Sequence, residues 1–219
     1  MNQKAIVFDA YGTLFDVNSA AEKCKNKIGS KWENFANYWR TTQLEYTWLR
    51  SLMKRHKDFW QITEESLDKS MKVFNIDNKM KNELLNLYKV LSTYPEVKDV
   101  LAKLKEKKFK LAILSNGTPS LLKNLIISND LINIFDDLFS IEEVKVYKPD
   151  SKVYELPVKK YKIKPEEITF LSANTWDVSG GGNYGFNSIW LNRNKLQFDN
   201  LDYRPKKEVG NLAQLLDII

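Results

Sequence analysis

A short unbroken apolar run near the start of the chain is followed directly by a polar turn. The run covers Ala5–Phe8, and such runs are typical of parallel strands that are buried on both faces. It stops at Asp9, and Gly12 then allows the backbone to turn sharply. Because ligands bind at the carboxyl ends of the strands in open parallel sheets, Asp9 is a candidate reactive carboxylate. The alternative at this point is that Asp9 only caps the turn.

Residues 17–93 show helical rather than strand periodicity. One long helix is predicted from apolar positions at helical spacing, which are Trp32, Phe35, Ala36, Trp39, Leu44, Trp48, Leu49 and Leu52. A second helix is predicted to open at residues 63–66, with Thr63 or Ser66 as its N-cap, and a third covers residues 80–91. Tyr94 and Pro95 mark the end of this helical stretch.

Helix and strand patterns alternate in the rest of the chain. Helices are predicted at residues 97–107, 120–129 and 151–161, and strands at residues 110–114, 138–141, 168–171 and 188–191. This alternation predicts an α/β fold with a right-handed, doubly wound parallel sheet. We therefore expect a Rossmann-like core formed by residues 1–15 and 95–219, interrupted by a helical cap subdomain at residues 16–94.

Composition restricts the classes of function. The chain has 219 residues, 43% of them hydrophobic, and no apolar run of membrane-spanning length. No signal peptide is recognised, and the single cysteine, Cys24, excludes an internal disulfide, so we expect a cytoplasmic protein without a membrane partner. The net charge of +6 comes from dispersed lysines without a nucleic-acid-reading motif, so no nucleic acid partner is expected.

The single histidine, His56, limits the choice of catalytic base. It lies in a Lys-Arg-His run, where we expect an exposed cation at a helix end that interacts with the helix dipole. A Ser-His-Asp triad or a Cys/His zinc site would depend on this one residue. The sequence therefore favours a carboxylate as general base.

Three further segments place polar residues next to predicted strands. Ser115 and Asn116 follow the strand at 110–114, where a serine either caps the next helix or offers its hydroxyl to an anion. Lys148 precedes a proline and is either a solvated turn residue or an ion-pair partner that keeps Asp9 charged. Asn174 and Asp177 follow the strand at 168–171, and Gly180 to Gly182 are predicted to form a turn that brings both close to Asp9.

Residues 9–16, Asp-Ala-Tyr-Gly-Thr-Leu-Phe-Asp, resemble the first motif of the haloacid dehalogenase superfamily and, more narrowly, that of the L-2-haloacid dehalogenases. The Ser-Asn pair at 115–116, Lys148 and the Ser-x-Asn-x-Trp-Asp pattern at 172–177 resemble the later motifs. Phosphatases of the superfamily carry a second Asp where this chain has Tyr11, and an acid where it has Asn174. A phenol is a poor magnesium ligand, so no metal and no other cofactor is expected.

The resemblance implies a role for each matching residue. Asp9 would be the nucleophile, Asp177 the general base, Asn174 the residue that positions water, and Lys148 the cation that keeps the carboxylates charged. The first and fourth motifs would also contribute Thr13 and Ser172 to catalysis. Substrate contacts would come from Ser115, Asn116, Tyr154, Tyr11, Leu44, Phe59 and Trp176. Pro157 falls inside the predicted helix of Tyr154, beyond the first turn, where a proline can kink the helix and redirect the Tyr154 side chain.

Arg40 stands among apolar residues of the long predicted helix. From composition alone it would be a snorkelling surface residue. The stretch that begins at Arg40 resembles the family segment whose arginine receives the halide, which favours a functional guanidinium instead.

The predicted reaction is hydrolytic dehalogenation of short L-2-haloacids to D-2-hydroxy acids through an ester on Asp9. The partners implied are the small haloacid substrate, the halide product and a second copy of the chain in a homodimer. The alternatives are a magnesium-dependent phosphatase of the same superfamily and a non-catalytic binding protein on this fold.

Overall fold

The computed structural model describes residues 4–219. Its centre is a six-stranded, entirely parallel sheet with the strand order β3-β2-β1-β4-β5-β6. The strands are β1 (Ala5–Phe8), β2 (Lys110–Ser115), β3 (Asp137–Ser140), β4 (Ile168–Ser172), β5 (Asn187–Leu191) and β6 (Lys207–Val209). The predicted α/β class and doubly wound parallel sheet are confirmed.

Strand β1 lies in the middle of the sheet and is buried at all of its positions. Ala5 is opposite Lys110 of β2 on one side and Ile168 of β4 on the other. The backbone N–H of Asp9 extends this ladder by donating to the Leu171 carbonyl at 2.8 Å. The central position therefore fixes the backbone of Asp9 from both sides.

Helices connect the strands and cover the sheet. After β1 come α1 (Ser19–Lys23), α2 (Lys25–Ile28), α3 (Trp32–Leu52), α4 (Phe59–Val73) and α5 (Lys81–Tyr88). The remaining helices are α6 (Val97–Glu106), α7 (Pro119–Ser128), α8 (Ser151–Tyr161) and α9 (Thr175–Tyr184). No helix among residues 4–219 has both the length and the apolar character that a bilayer crossing needs.

The helical segment between β1 and α6 starts and ends at the same place. The Asp16 N–H donates to the Ser92 carbonyl at 2.8 Å, and the Tyr94 N–H donates to the Leu14 carbonyl at 3.1 Å. The chain therefore leaves the sheet and returns to it through one narrow connection. A separate cap role for residues 16–94 stays a prediction.

The N-cap prediction for the second long helix was wrong. Helix α4 begins at Phe59, because the Asp58 side chain accepts a hydrogen bond from the Gln61 N–H at 2.8 Å. Thr63 and Ser66 both lie inside the helix, and each hydroxyl donates to a backbone carbonyl of its own helix.

Strand β6 was not predicted; it has only three residues and lies at the edge of the sheet. So short a strand leaves little periodicity to detect.

Candidate active site

Asp9 lies at the carboxyl edge of the sheet, where the chain leaves β1. Its side chain is only 5% exposed, and Gly12 adopts a positive φ of 88° that shapes the turn as predicted. Thr13 returns across this turn, so that its hydroxyl donates to Asp9 Oδ2 at 2.9 Å while accepting the Ala173 N–H at 2.9 Å. The turn thus supplies a donor to the carboxylate.

The two oxygens of the Asp9 carboxylate have different partners. Oδ2 accepts from Thr13 Oγ1 and Asn174 Nδ2, both at 2.9 Å, and from Ser172 Oγ at 3.5 Å. Oδ1 accepts from Lys148 Nζ at 3.1 Å. Side chains from three separate segments therefore converge on one carboxylate, which is more than a turn cap requires.

Lys148 joins two buried carboxylates. Its side chain is 1% exposed, and Nζ lies 3.1 Å from Asp9 Oδ1 and 2.9 Å from Asp177 Oδ2. Burial lowers the pKa of Lys148, but the charges of Asp177 and Asp9 raise it more, so the net direction is upward. The lysine is a buried ammonium, and the solvated-turn alternative is wrong.

Asp177 is fully buried and has two donors. Lys148 binds Oδ2, and the Tyr154 hydroxyl donates to Oδ1 at 2.8 Å. Burial raises the pKa of Asp177 to about 6, against the lowering effect of Lys148 and with a further rise from Asp9. This carboxylate therefore changes protonation in a range where a general base is useful.

Pro157 does not displace Tyr154. Helix α8 runs without a break from Ser151 to Tyr161 with Pro157 inside it, and Tyr154 is completely buried. The hydrogen bond from its hydroxyl to Asp177 places the ring inside the site.

The three glycines have a different role from the predicted one. Gly180, Gly181 and Gly182 lie inside helix α9 and not in a turn before it. A Cβ on Gly180 would lie 2.4 Å from the Tyr154 hydroxyl, and one on Gly182 would lie 2.2 Å from Tyr203 Cζ. The glycines allow close side-chain packing against the helix that carries Asp177.

Ser115 is the last residue of β2 and Asn116 follows it, and both are buried. The Ser115 hydroxyl accepts the Gly117 N–H at 3.0 Å, whereas the N-cap of α7 is Thr118. Asn116 Oδ1 accepts the Lys148 backbone N–H at 3.1 Å. That bond turns the amide so that its NH₂ group remains available to other acceptors.

Arg40 reaches the turn after Asp9 from helix α3. Its Nη2 donates to the Tyr11 carbonyl at 3.3 Å, and its Nη1 donates to Gln43 Oε1 at 3.0 Å. Asn174 Nδ2 lies 3.3 Å from the same Tyr11 carbonyl. The guanidinium therefore points towards the sheet edge, and not outward as a snorkelling residue would.

The apolar residues expected around the substrate fall into two places. The Tyr11 ring lies 5.1 Å from Phe59, and both are buried. Trp176 instead packs edge-on against Trp48 of α3, with ring centroids 5.4 Å apart. Leu44, which is half-buried, lies one turn after Arg40 on the same face of α3.

Sequence reasoning missed three residues that contact this site. Gln43 and Tyr88 are buried beside Arg40, and Tyr88 stacks on Tyr11 at 5.8 Å. Arg193 follows β5 and donates to the Thr13 carbonyl at 3.1 Å. A glutamine among apolar residues of a helix is a signal that could have found Gln43, whereas Arg193 has no such signal.

His56 does not lie at a helix end and is only half-exposed. It lies in the link between α3 and α4, and its Nε2 is 3.1 Å from Glu142 Oε2. Its ring packs against Tyr147, with 5.6 Å between centroids.

The comparisons with known proteins agree with this geometry. The family model described as haloacid dehalogenase-like hydrolase matches residues 3–185. The chain belongs to this family. Its hydrolase class, predicted from the sequence, follows from this membership.

Similar proteins refine the assignment within the haloacid dehalogenase-like hydrolases. The chain is 40% identical to (S)-2-haloacid dehalogenase 1 of Pseudomonas sp. strain CBS-3, over 99% of this chain and 96% of that protein. A solved dehalogenase structure with an intermediate complex superposes with a TM-score of 0.97 at 35% identity, covering 100% of this chain and 97% of the other. The L-2-haloacid dehalogenase of Xanthobacter autotrophicus, with chloropropionic acid covalently bound, gives a TM-score of 0.92 at 32% identity, covering 99% and 98%. The resemblance to the L-2-haloacid dehalogenases is confirmed.

Proposed function

We propose that this protein hydrolyses short L-2-haloacids to D-2-hydroxy acids and halide, through an ester formed on Asp9. One observation carries the proposal: the buried Asp9 carboxylate is paired with Lys148 through Oδ1 and holds three side-chain donors on Oδ2. The covalently bound chloropropionic acid of the Xanthobacter autotrophicus relative supports a covalent intermediate.

In the first step, Asp9 Oδ1 attacks the Cα of the haloacid. A C–O bond forms, the carbon–halogen bond breaks, and the bonding pair leaves with the halide. Oδ1 is the better nucleophile because it has a single hydrogen-bond donor, whereas Oδ2 has three. Attack from the side opposite the halogen inverts the stereocentre once.

In the second step, water attacks the ester carbonyl carbon of Asp9 while Asp177 takes one proton from that water. The bond between this carbon and Oδ1 then breaks, and protonated Asp177 gives its proton to the leaving oxygen, which is the one bound to the product; the acid left on Asp9 releases its proton to solvent. The carbonyl oxygen in this ester is Oδ2, which retains the donors Thr13, Asn174 and Ser172. Donors placed in advance around a developing oxyanion are typically worth about 3–4 kcal/mol each.

The substrate would be oriented by charges on both sides of Asp9. We assign its carboxylate to Ser115 and nearby backbone N–H groups, and its halogen to Arg40, Asn116 and Trp176. Tyr11, Phe59 and Leu44 would contact the short alkyl group. Holding the reactants in line in this way can lower the barrier by several kcal/mol.

We propose that no magnesium takes part. The Tyr11 ring, which stands where the phosphatases have a second Asp, is packed between Phe59 and Tyr88 and offers no carboxylate oxygen. Lys148 Nζ lies 3.1 Å from Asp9 Oδ1 and 2.9 Å from Asp177 Oδ2 and supplies positive charge to both carboxylates. Within residues 4–219, no three His, Cys, Asp or Glu side chains are gathered for metal binding.

We also propose that residues 16–94 form a cap over Asp9 and that two chains form a homodimer in the cytoplasm. The end of α3 exposes apolar side chains, with Leu52 78% and Met53 59% exposed, which a second copy could cover. The free, buried thiol of Cys24 is compatible with a reducing compartment. Light scattering on a size-exclusion column would decide the oligomeric state, and a monomer at all concentrations would contradict the dimer.

The deciding assay measures halide release from L- and D-2-chloropropionate, with EDTA and with magnesium, beside a generic phosphate ester. Release from the L isomer alone that is insensitive to EDTA and absent in Asp9→Ala is the expected result. Magnesium-dependent phosphate release would overturn the proposal in favour of a phosphatase. Release of neither halide nor phosphate from any substrate would favour a binding protein.

An isotope experiment tests the ester directly. With enzyme in excess over substrate in H₂¹⁸O, a single turnover should leave ¹⁸O in Asp9 and none in the hydroxy acid. Label in the hydroxy acid after one turnover would mean that water attacks Cα without an ester.

A further inference from the structure

A buried polar network lies next to Arg40 and has no part in the mechanism described so far. Gln43 is 1% exposed, Thr63 is completely buried, and Tyr88 is 3% exposed. They come from three different helices, α3, α4 and α5. Buried polar groups are costly unless they are bonded, so this network has a defined arrangement.

The hydrogen bonds of Thr63 determine which end of the Gln43 amide faces α4. The Thr63 hydroxyl donates to the Phe59 carbonyl at 2.7 Å, so Thr63 Oγ1 is left as an acceptor. Gln43 Nε2 donates to that oxygen at 2.7 Å. The amide nitrogen of Gln43 must therefore face α4, and its oxygen faces the other way.

The Gln43 oxygen meets the guanidinium of Arg40. Nη1 of Arg40 donates to Gln43 Oε1 at 3.0 Å, while its Nη2 donates to the Tyr11 carbonyl at 3.3 Å. One acceptor on α3 and one on the turn after β1 thus fix the plane of the guanidinium. Tyr88 contacts both ends of the Gln43 amide: Nε2 donates to the Tyr88 hydroxyl at 3.0 Å, and that hydroxyl donates to Oε1 at 3.2 Å.

Tyr88 extends this control to the residue beside the nucleophile. Its ring is stacked on Tyr11 at 5.8 Å with an interplanar angle of 14°. The same amide is therefore linked to Arg40 by a hydrogen bond and to Tyr11 through the ring of Tyr88. Both linked residues belong to the set that would surround the substrate.

We propose that Gln43 is a positioning residue that holds the Arg40 guanidinium in the orientation required to receive the departing halide. The inference rests on the proposed function for its catalytic consequence. Gln43 does not itself contact the reacting atoms in this assignment. It acts through Arg40, in a direction set by Thr63.

The first test compares Gln43→Met with the wild-type protein on two leaving groups. Methionine keeps the length and apolar volume of glutamine and removes the acceptor for Arg40. We expect kcat for L-2-chloropropionate to fall about 10²-fold, as for other misplaced catalytic groups, and kcat for L-2-bromopropionate to fall much less. Bromide leaves more easily than chloride, so it depends less on the guanidinium.

Thr47→Val provides the matched control. Thr47 is buried on the same helix, and its hydroxyl donates only to the Leu44 carbonyl of that helix, at 2.6 Å. In Thr47→Val, the ratio of kcat for L-2-bromopropionate to kcat for L-2-chloropropionate should equal that of the wild type. An equal loss with both leaving groups in Gln43→Met, or the same change of ratio in Thr47→Val, would reduce Gln43 to a structural residue.

A double-variant cycle tests whether Gln43 acts through Arg40. In an Arg40→Ala background, Gln43→Met should have little further effect on halide release, because the group that it positions is gone. A full additional loss in that background would contradict the proposal.

A readout without substrate separates this inference from the proposed function. Solvent exchange of the Arg40 Nη1 protons, which Gln43 Oε1 accepts, followed by ¹⁵N NMR, should be faster in Gln43→Met than in the wild type and unchanged in Thr47→Val. Unchanged exchange in Gln43→Met would overturn the positioning role even in an active enzyme. Faster exchange in a protein that releases no halide would retain the positioning role and refute the proposed function.

Discussion

The sheet edge and the helical segment contribute to the same site by different means. At the edge, Asp9 and Asn174 follow the ends of neighbouring strands, so the sheet ladder fixes their backbones. In the helical segment, Arg40 lies within the 21-residue helix α3, and its guanidinium is fixed by bonds to Gln43 and to the Tyr11 carbonyl. The charged groups of the edge are thus part of the folded core, whereas Arg40 depends on side-chain bonds that can be removed without disturbing the sheet.

The largest effect is expected where a buried charge loses its partner. Lys148→Met leaves Asp9 and Asp177 without their shared cation and should lower the free energy of unfolding by about 3–5 kcal/mol. The loss should be larger at about pH 8 than at about pH 5, because protonation of Asp177 removes one of the two buried negative charges. Urea unfolding at both pH values measures it. A loss below about 1 kcal/mol at either pH would show that the edge does not need this ion pair.

Substitution of Arg40 in the helical segment should lower kcat and leave the free energy of unfolding nearly unchanged. Arg40→Ala removes a half-buried guanidinium, and we expect kcat for L-2-chloropropionate to fall about 10²–10³-fold, as when one oxyanion donor is removed. Steady-state kinetics and urea unfolding together check the contrast with Lys148→Met. Destabilisation as large as that of Lys148→Met would erase the difference between the two regions.

The pH dependence of Asp177 separates its stability effect from its catalytic one. Its pKa of about 6 lies above the ordinary value of 3.8, so the folded state binds more protons than the unfolded state between these values. This group should therefore reduce stability as the pH rises from about 4 to about 6, by about 3 kcal/mol in total.

Activity should change in the opposite direction. As a base, Asp177 must be ionised, so kcat/KM for L-2-chloropropionate should rise with pH to a plateau, with an apparent pKa near 6. Unfolding and kinetic profiles of the wild type beside Asp177→Asn test both trends. The assignment of Asp177 as the titrating group would be refuted if the free energy of unfolding rose from about pH 4 to about pH 6 in the wild type and rose equally in Asp177→Asn.

The smallest expected effect lies far from the chemistry. Asp58→Ala removes the N-cap of α4 and should cost about 1 kcal/mol of stability with unchanged halide release. Asp58→Asn, which keeps a capping oxygen, should cost much less. Thermal or urea unfolding of both variants measures the difference, and equal losses would mean that the side chain at 58 does not cap the helix.

The carboxyl edge of the sheet was predicted well from the sequence, because its residues are determined by where each strand ends along the chain. A buried strand that ends at or just before a polar residue, as at Asp9, Ser115 and Ser172, places that residue at the carboxyl edge, whatever the rest of the chain does. The parallel topology then brings these segments together, as the contacts around Asp9 show.

The same reasoning failed where an outcome depended on packing between distant segments. Gly180 and Gly182 look like turn residues in sequence, but they lie in a helix, where the missing side chains leave room for Tyr154 and Tyr203. The pairing of His56 with Glu142 joins residues far apart in the chain. Gln43 likewise acquires its role only when α4 and α5 pack against α3.

The central position of β1 has a consequence for the order of folding. Ala5 must find Lys110 on one side and Ile168 on the other, so the strand that leads into Asp9 closes the longest loops of the sheet. Contacts between residues so distant in sequence form slowly, because the entropy of loop closure is lost before they stabilise the chain. The helices between can form their local contacts earlier, and Asp9 is therefore expected to reach its partners among the last steps of folding.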